Sequence, residues 1–108
     1  MDACCTPIAK DLGPAEATDL ADLLKVLADP ARLRILSVLT SSEEACACDL
    51  TEPLDLSQPT VSHHMKVLRE AGFIASERRG KWVYHRLIPG RLDEIRAALE
   101  VPVQLSPV

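Results

Sequence analysis

After Gly72 the apolar residues of this chain change their period, and that change does most to dictate the fold. Upstream, Val61, Met65 and Leu68 recur at helical spacing behind Ser57, a good N-cap, and Pro59, which a first helical turn accepts. Downstream, Phe73-Ile74-Ala75 and Trp82-Val83-Tyr84-His85-Arg86-Leu87 read as strands, with Arg79-Gly80-Lys81 as the turn between them. A helix stopped by glycine and followed at once by a hairpin is a helix with a wing, not a plain bundle.

Ahead of that unit, Leu20, Leu23, Leu24 and Leu27 form one apolar stripe and predict a first helix from Thr18 or Asp19 to about Ala28. Asp29-Pro30 starts a second helix whose Ile35, Leu36 and Leu39 face inward and which stops near Ser41-Ser42. Residues 43–45 read as a connection, and a short third helix runs from about Cys48-Asp49 to Leu54. A last helix, Arg91 to about Glu100, shows Leu92, Ile95 and Leu99 on one side. The expected organisation is a flexible arm over 1–15, a mainly α winged helix-turn-helix domain with a small β-hairpin over 16–100, and a tail over 101–108. A chain of 108 residues is one domain with a modest core. Its two separate apolar faces, on the first and last helices, require a second copy to cover them, so a homodimer is expected.

Two helices joined by a tight connection, the second opening Ser-Gln-Pro-Thr, suit double-stranded DNA, because such a helix presents its N-terminal residues to base edges in the major groove. Gln58 can pair with adenine in bidentate fashion, and Thr60, behind Pro59, can touch a thymine methyl or a phosphate. Ser57, Ser62, His63 and His64 can donate to phosphates or bases, and Lys66 neutralises backbone charge. Arg78, Arg79 and Lys81 form a basic hairpin tip able to follow a phosphate strand or reach a minor groove. The net charge of −4 does not oppose this. Between Ser57 and Arg91, seven basic residues face only Glu70 and Glu77, a local +5, and a polyanion is steered by the local patch. Trp82 and Tyr84 are expected to pack in the core or the hairpin rather than stack on bases.

Four cysteines fall in two close pairs, Cys4-Cys5 and Cys46-x-Cys48. No signal peptide pattern and no apolar run of about 18 residues occurs, so a cytoplasmic protein with no membrane segment is expected, and reduced thiols there act as ligands more readily than as disulfides. Trivalent arsenic and antimony bind three thiolates in a pyramid, and cadmium and lead also prefer sulfur. Residues i and i+2 on a helix point about 200° apart, so joint use of Cys46 and Cys48 is expected to require an unwound start to the third helix. Adjacent His63 and His64, about 100° apart, are poor joint ligands. Oxidation of the same thiols is the rival sensing chemistry. With no Cys-x-x-Cys, phosphate loop or parallel-sheet pattern, an enzyme such as a thiol transferase or arsenate reductase is not expected.

Asp29-Pro30-Ala31-Arg32-Leu33-Arg34-Ile35-Leu36, Ser57-Gln58-Pro59-Thr60-Val61-Ser62-His63-His64-Met65-Lys66-Val67-Leu68 and Gly80-Lys81-Trp82-Val83-Tyr84-His85-Arg86-Leu87 together resemble the ArsR/SmtB family of metal-sensing bacterial repressors across roughly residues 18–100. The resemblance implies a winged helix-turn-helix homodimer, paired through its first and last helices, that represses a metal-resistance operon and is released by metal. Glu44-Ala45-Cys46-Ala47-Cys48-Asp49-Leu50-Thr51 is similar to the arsenic-sensing form, whose motif has a further cysteine where Thr51 stands. Cys4 or Cys5 can supply the missing sulfur, as an N-terminal cysteine pair does in some relatives. The expected inducer is As(III) or Sb(III), held by three of Cys4, Cys5, Cys46 and Cys48, with Cd(II) or Pb(II) favoured if all four are used. Residues 91–100 contain no histidine, which argues against the zinc site that other members carry on the last helix.

Overall fold

The computed structural model describes residues 11–100, so Cys4, Cys5 and the tail over 101–108 lie outside the described residues. Helix α1 spans Pro14–Leu27 and begins earlier than Thr18, taking in two residues assigned to the arm. Gly13 is its N-cap, Pro14 fills the first turn, and the Glu16 carboxylate accepts the Gly13 amide at 2.9 Å. Thr18 caps nothing; its hydroxyl donates back to the Pro14 carbonyl at 3.0 Å. Helix α2 (Pro30–Ser41) opens as expected at Asp29, whose Oδ1 accepts the amides of Ala31 at 2.9 Å and Arg32 at 3.3 Å. Burial opposes charge on Asp29, but those amides outweigh it and hold the carboxyl below its usual range.

The segment read as a connection is partly a strand. β1 (Ala45–Cys46) leads into a 3-10 turn, Ala47–Asp49, and only then comes α3, Thr51–Leu54. The third helix therefore starts after Cys48 and Asp49, not at them. Asp55 ends it in the left-handed region at φ 56°, a conformation aspartate tolerates, and Leu56 donates to the Thr51 carbonyl at 3.1 Å. Ser57 then caps α4 (Gln58–Glu70) through a 3.3 Å bond from the Thr60 amide.

Gly72, at φ +88°, turns the chain into β2 (Ile74–Arg79). The backbone conformation favours glycine there, and a Cβ would meet Arg91 Nε at 2.9 Å, which the arginine side chain must move to relieve. Strand β2 is longer than the three residues expected, and the turn is only Gly80-Lys81, with Arg79 paired to Trp82. β3 (Trp82–Leu87) is the middle strand of a sheet ordered β1-β3-β2, all antiparallel. Helix α5 (Pro89–Ala98) begins two residues before the expected Arg91, with Pro89 in its first turn, and it stops short of Leu99.

Ile35, Leu36 and Leu39 of α2, Leu50 and Leu54 around α3, Val61, Met65 and Leu68 of α4, and Phe73 and Ile74 make one core. Each such side chain, fully buried, contributes roughly 1.5–3 kcal/mol. This core fixes α4 against α2 and β2 and leaves its polar face outward. Of the residues expected at a dimer interface, Leu23, Leu27, Leu92 and Ile95 also pack on this chain's own core, and Leu20 is half-buried. Leu24 and Leu99 stay 39% and 54% exposed, so the uncovered apolar surface of α1 and α5 is narrower than the full stripes.

Candidate functional site

The thiol pair is set by the junction of β1 with the 3-10 turn. Cys46 is extended, at φ −90° and ψ 154°, and Cys48 sits in the turn behind it. Their Cα atoms are 5.2 Å apart and their Sγ atoms are in direct contact, in disulfide register. In the structure the two sulfurs are joined as a disulfide; reduced, they part and can grip one soft ion between them. The unwinding of α3 expected as the cost of joint ligation is therefore not needed, because Cys46 never belonged to a helix. The Cys48 amide donates to Cys46 Sγ at 3.1 Å. Asp49, not anticipated, completes the cluster: its carboxylate accepts the Cys46 amide at 3.0 Å, and one ligand atom from each of the three residues lies within 4.8 Å of the others. Its signal was the interval of three from Cys46, which a 3-10 turn brings round to one side. Thr51 borders the pair, its hydroxyl donating to the Cys48 carbonyl at 3.2 Å.

The polar face of α4 carries Gln58, Pro59, Thr60, Ser62, His63 and Lys66, all exposed, behind an exposed Ser57. Ser57 Oγ and Thr60 Oγ1 are 2.9 Å apart, so both hydroxyls are partly used in capping. His64 differs from its neighbour. It is half-buried, and its Nδ1 accepts from Arg32 Nε at 3.2 Å. That bond requires the ring proton on Nε2. Arg32 also donates to the Val26 carbonyl at 3.1 Å, so one guanidinium ties α4 to α1 and α2. The ring centres of His63 and His64 are 5.8 Å apart and the rings are tilted by 55°.

On the wing, Arg78, Arg79 and Lys81 are exposed, but they are not equivalent. Arg79 donates to Glu44 at 2.5 Å and to Glu77 at 2.8 Å, and its Cζ lies 4.9 Å from the Tyr84 ring centre. The bond from Arg79 holds the Glu77 carboxyl below its usual range, and Glu77 and Glu44 push Arg79 further toward its charged form. Lys81 Nζ lies 5.4 Å from the Trp82 ring centre, and Trp82 is 45% exposed, so the aromatic residues pack within the hairpin rather than in the core. Among the described residues no helix is long and apolar enough to cross a membrane.

Residues 29–76 match the model for bacterial regulatory proteins of the arsR family. The chain is 48% identical over 67 residues to the arsenical resistance operon repressor of Escherichia coli, covering 62% of this chain and 57% of that protein. It is 46% identical over 67 residues to an arsenic resistance transcriptional regulator of Pseudomonas putida, covering 62% of this chain but 52% of that protein, so it spans little more than half the length of these two relatives. It is 43% identical over 83 residues to the arsenical resistance operon repressor of Staphylococcus xylosus, covering 77% of this chain and 79% of that protein. Among solved structures, a possible transcriptional regulator for arsenical resistance superposes with a TM-score of 0.66 at 37% identity, over 70% of this chain and 78% of that one. The homodimeric winged helix-turn-helix DNA-binding domain of a possible ArsR-family regulator from Mycobacterium bovis superposes with a TM-score of 0.66 at 22% identity, over 85% of each chain.

Proposed function

Because the chain belongs to the ArsR family of bacterial regulatory proteins, whose members are DNA-binding transcription regulators with a winged helix-turn-helix fold, we propose that it represses an arsenic-resistance operon and leaves its operator when arsenite or antimonite binds its thiolates. The observation that carries this reading is the contact between the Cys46 and Cys48 sulfurs, at the head of the segment that feeds α4. Two of the three donors of a thiolate pyramid stand ready there, and Cys4 or Cys5 supplies the third, with all four sulfurs favouring cadmium or lead. A bound arsenic(III) centre supplies three strong bonds to sulfur and no charge of its own to DNA.

This chain's residues do the rest. Gln58 and Thr60 read base edges from the N-terminal turn of α4, and Ser57, Ser62, His63 and Lys66 hold phosphates. Pro59 shapes that turn, and His64 presents its Nε2–H as a fixed donor while Arg32 anchors the ring. Arg78, Arg79 and Lys81 supply the wing's contact with the backbone. A second copy, paired through α1 and α5 at Leu24 and Leu99 with Leu20, Leu23, Leu27, Leu92 and Ile95 behind them, offers the twin helix that a two-fold operator requires. Linkage makes the effect reciprocal: operator DNA weakens arsenite binding by the same factor that arsenite weakens operator binding, typically about 5–150-fold.

A gel-shift titration of the upstream DNA, with thiols reduced and arsenite varied, tests the reading. Arsenite releases the wild type, and the double variant Cys46→Ser/Cys48→Ser keeps operator affinity but no longer responds. Normal release of that variant places the trigger elsewhere.

A further inference from the structure

Among the described residues, Arg79 is the wing cation that carboxylates hold, and those carboxylates lead back to the thiols. Glu44 immediately precedes β1, two residues before Cys46. Across the sheet Cys46 pairs with Tyr84, and Tyr84 pairs with Glu77, so the three form one row. Partners in a row project to the same face, and residues two apart in a strand share it. Arg79 therefore stands on the face of Cys46, over the Tyr84 ring, with one arm on Glu77 in its own strand and the other on Glu44.

This arrangement is stiff for a surface contact. The guanidinium is planar and lies over the Tyr84 ring, which by itself leaves it little freedom to follow Glu44 by rotating; Glu77 adds charge but is not required. A displacement of the strand that carries Cys46 then shifts the hairpin rather than the side chain. A relay is needed, because the pair lies ahead of α3, and admitting an ion between its sulfurs does not require that helix to unwind.

We propose that the Glu44–Arg79 ion pair is the strut that couples the thiol site to the wing, with both residues acting as positioning groups. The inference rests on the reading of Cys46 and Cys48 as ligands. It gives arsenite a path to the DNA-facing surface through the sheet, in place of a melted third helix.

Trp82, the chain's one tryptophan, is the cross-strand partner of Arg79 and reports on the wing directly. The reduced full-length protein is titrated with sodium arsenite in the absence of DNA, and Trp82 emission is read alongside the arsenic bound per chain. In the wild type, emission changes in step with binding. E44Q binds the same amount of arsenite, but its emission change is at least about threefold smaller, and the ratio of its operator affinities without and with arsenite falls toward one. E77Q removes the same charge from the same guanidinium but stays within the hairpin, and it keeps the wild-type response. A merely structural role for Glu44 lowers the melting temperature and leaves the arsenite response in place. A wild-type response in E44Q overturns the proposal, and so does loss of response in both variants. Arsenite bound by the wild type with unchanged Trp82 emission overturns the strut while leaving the thiol site standing; a wild type that binds no arsenite removes the site and the strut together.

Discussion

Thr51→Cys, placed in a chain whose Cys4 and Cys5 are both serine, isolates the third-ligand question. Thr51, the first residue of α3, follows Cys48 by three residues, and its hydroxyl lies 3.2 Å from the Cys48 carbonyl. A cysteine at this neighbouring position brings a third sulfur within reach of the pair. The structural cost is one part-buried hydrogen bond, about 0.5–1.5 kcal/mol, because a thiol is a weak donor but packs well. At about 4–8 °C per kcal/mol for a domain of this size, the melting temperature falls by no more than roughly 12 °C. The binding side is larger. A ligand brought from a remote part of the chain must close a long loop and acts at an effective concentration of about millimolar, whereas one three residues from Cys48 exceeds that by at least about tenfold, or about 1.4 kcal/mol. The serine background therefore loses arsenite affinity, and Thr51→Cys restores it to at least the wild-type level. Equilibrium dialysis with arsenic analysis measures the affinity, and X-ray absorption counts three sulfurs per arsenic. Two sulfurs and no recovery in the triple variant refute the placement of residue 51 on the thiol side.

Two further outcomes bear on the fold. His85 is 5% exposed and bonds Ser76 across the hairpin at 2.7 Å, and burial, then the charge of Arg69, push its pKa below the usual 6.5. The unfolded chain takes up that proton more readily than the fold, so His85 contributes stability that is full above about pH 6.5 and is lost as pH falls below it. Urea midpoints at about pH 7.5 and about pH 5.5 fall further apart in the wild type than in His85→Gln, and equal pH slopes contradict this account. Gly72→Ala forces a side chain into the left-handed region at about 1–2 kcal/mol and displaces Arg91 from its 3.2 Å bond to the Ala71 carbonyl. Thermal melting shows a loss of about 1–3 kcal/mol, and an unchanged melting curve excludes the clash.

Much of the architecture is legible because it is written at short range. Val61, Met65 and Leu68 predict the buried stripe of α4 from spacing alone, and Asp29 and Ser57 announce their caps by type and position. The change of period after Gly72 predicts the wing. The errors have a common origin. Helix α1 begins at Pro14 because Glu16 reaches back to Gly13, a contact that the more familiar capping type of Thr18 obscured. β1 is two residues long and has no pattern of its own; it is a strand because β3 offers it hydrogen-bonding groups. Cysteine spacing singles out Cys46 and Cys48 as candidates, but their shared side follows from that pairing, which removes Cys46 from the helical geometry applied to it.

Helix, turn and wing follow from local rules: periodicity, caps and glycine conformations act over a few residues, and any chain carrying them in this order is driven to the same elements. The meeting of Glu44 with Arg79, 35 positions away, and of Arg32 with His64, 32 away, obeys no such rule. Those contacts exist because a buried core fixes the distances between elements, and hydrogen bonds and ion pairs act through space rather than along the chain. Residue types and spacing name the candidate thiols and the candidate recognition helix; only the packed sheet decides what joins them.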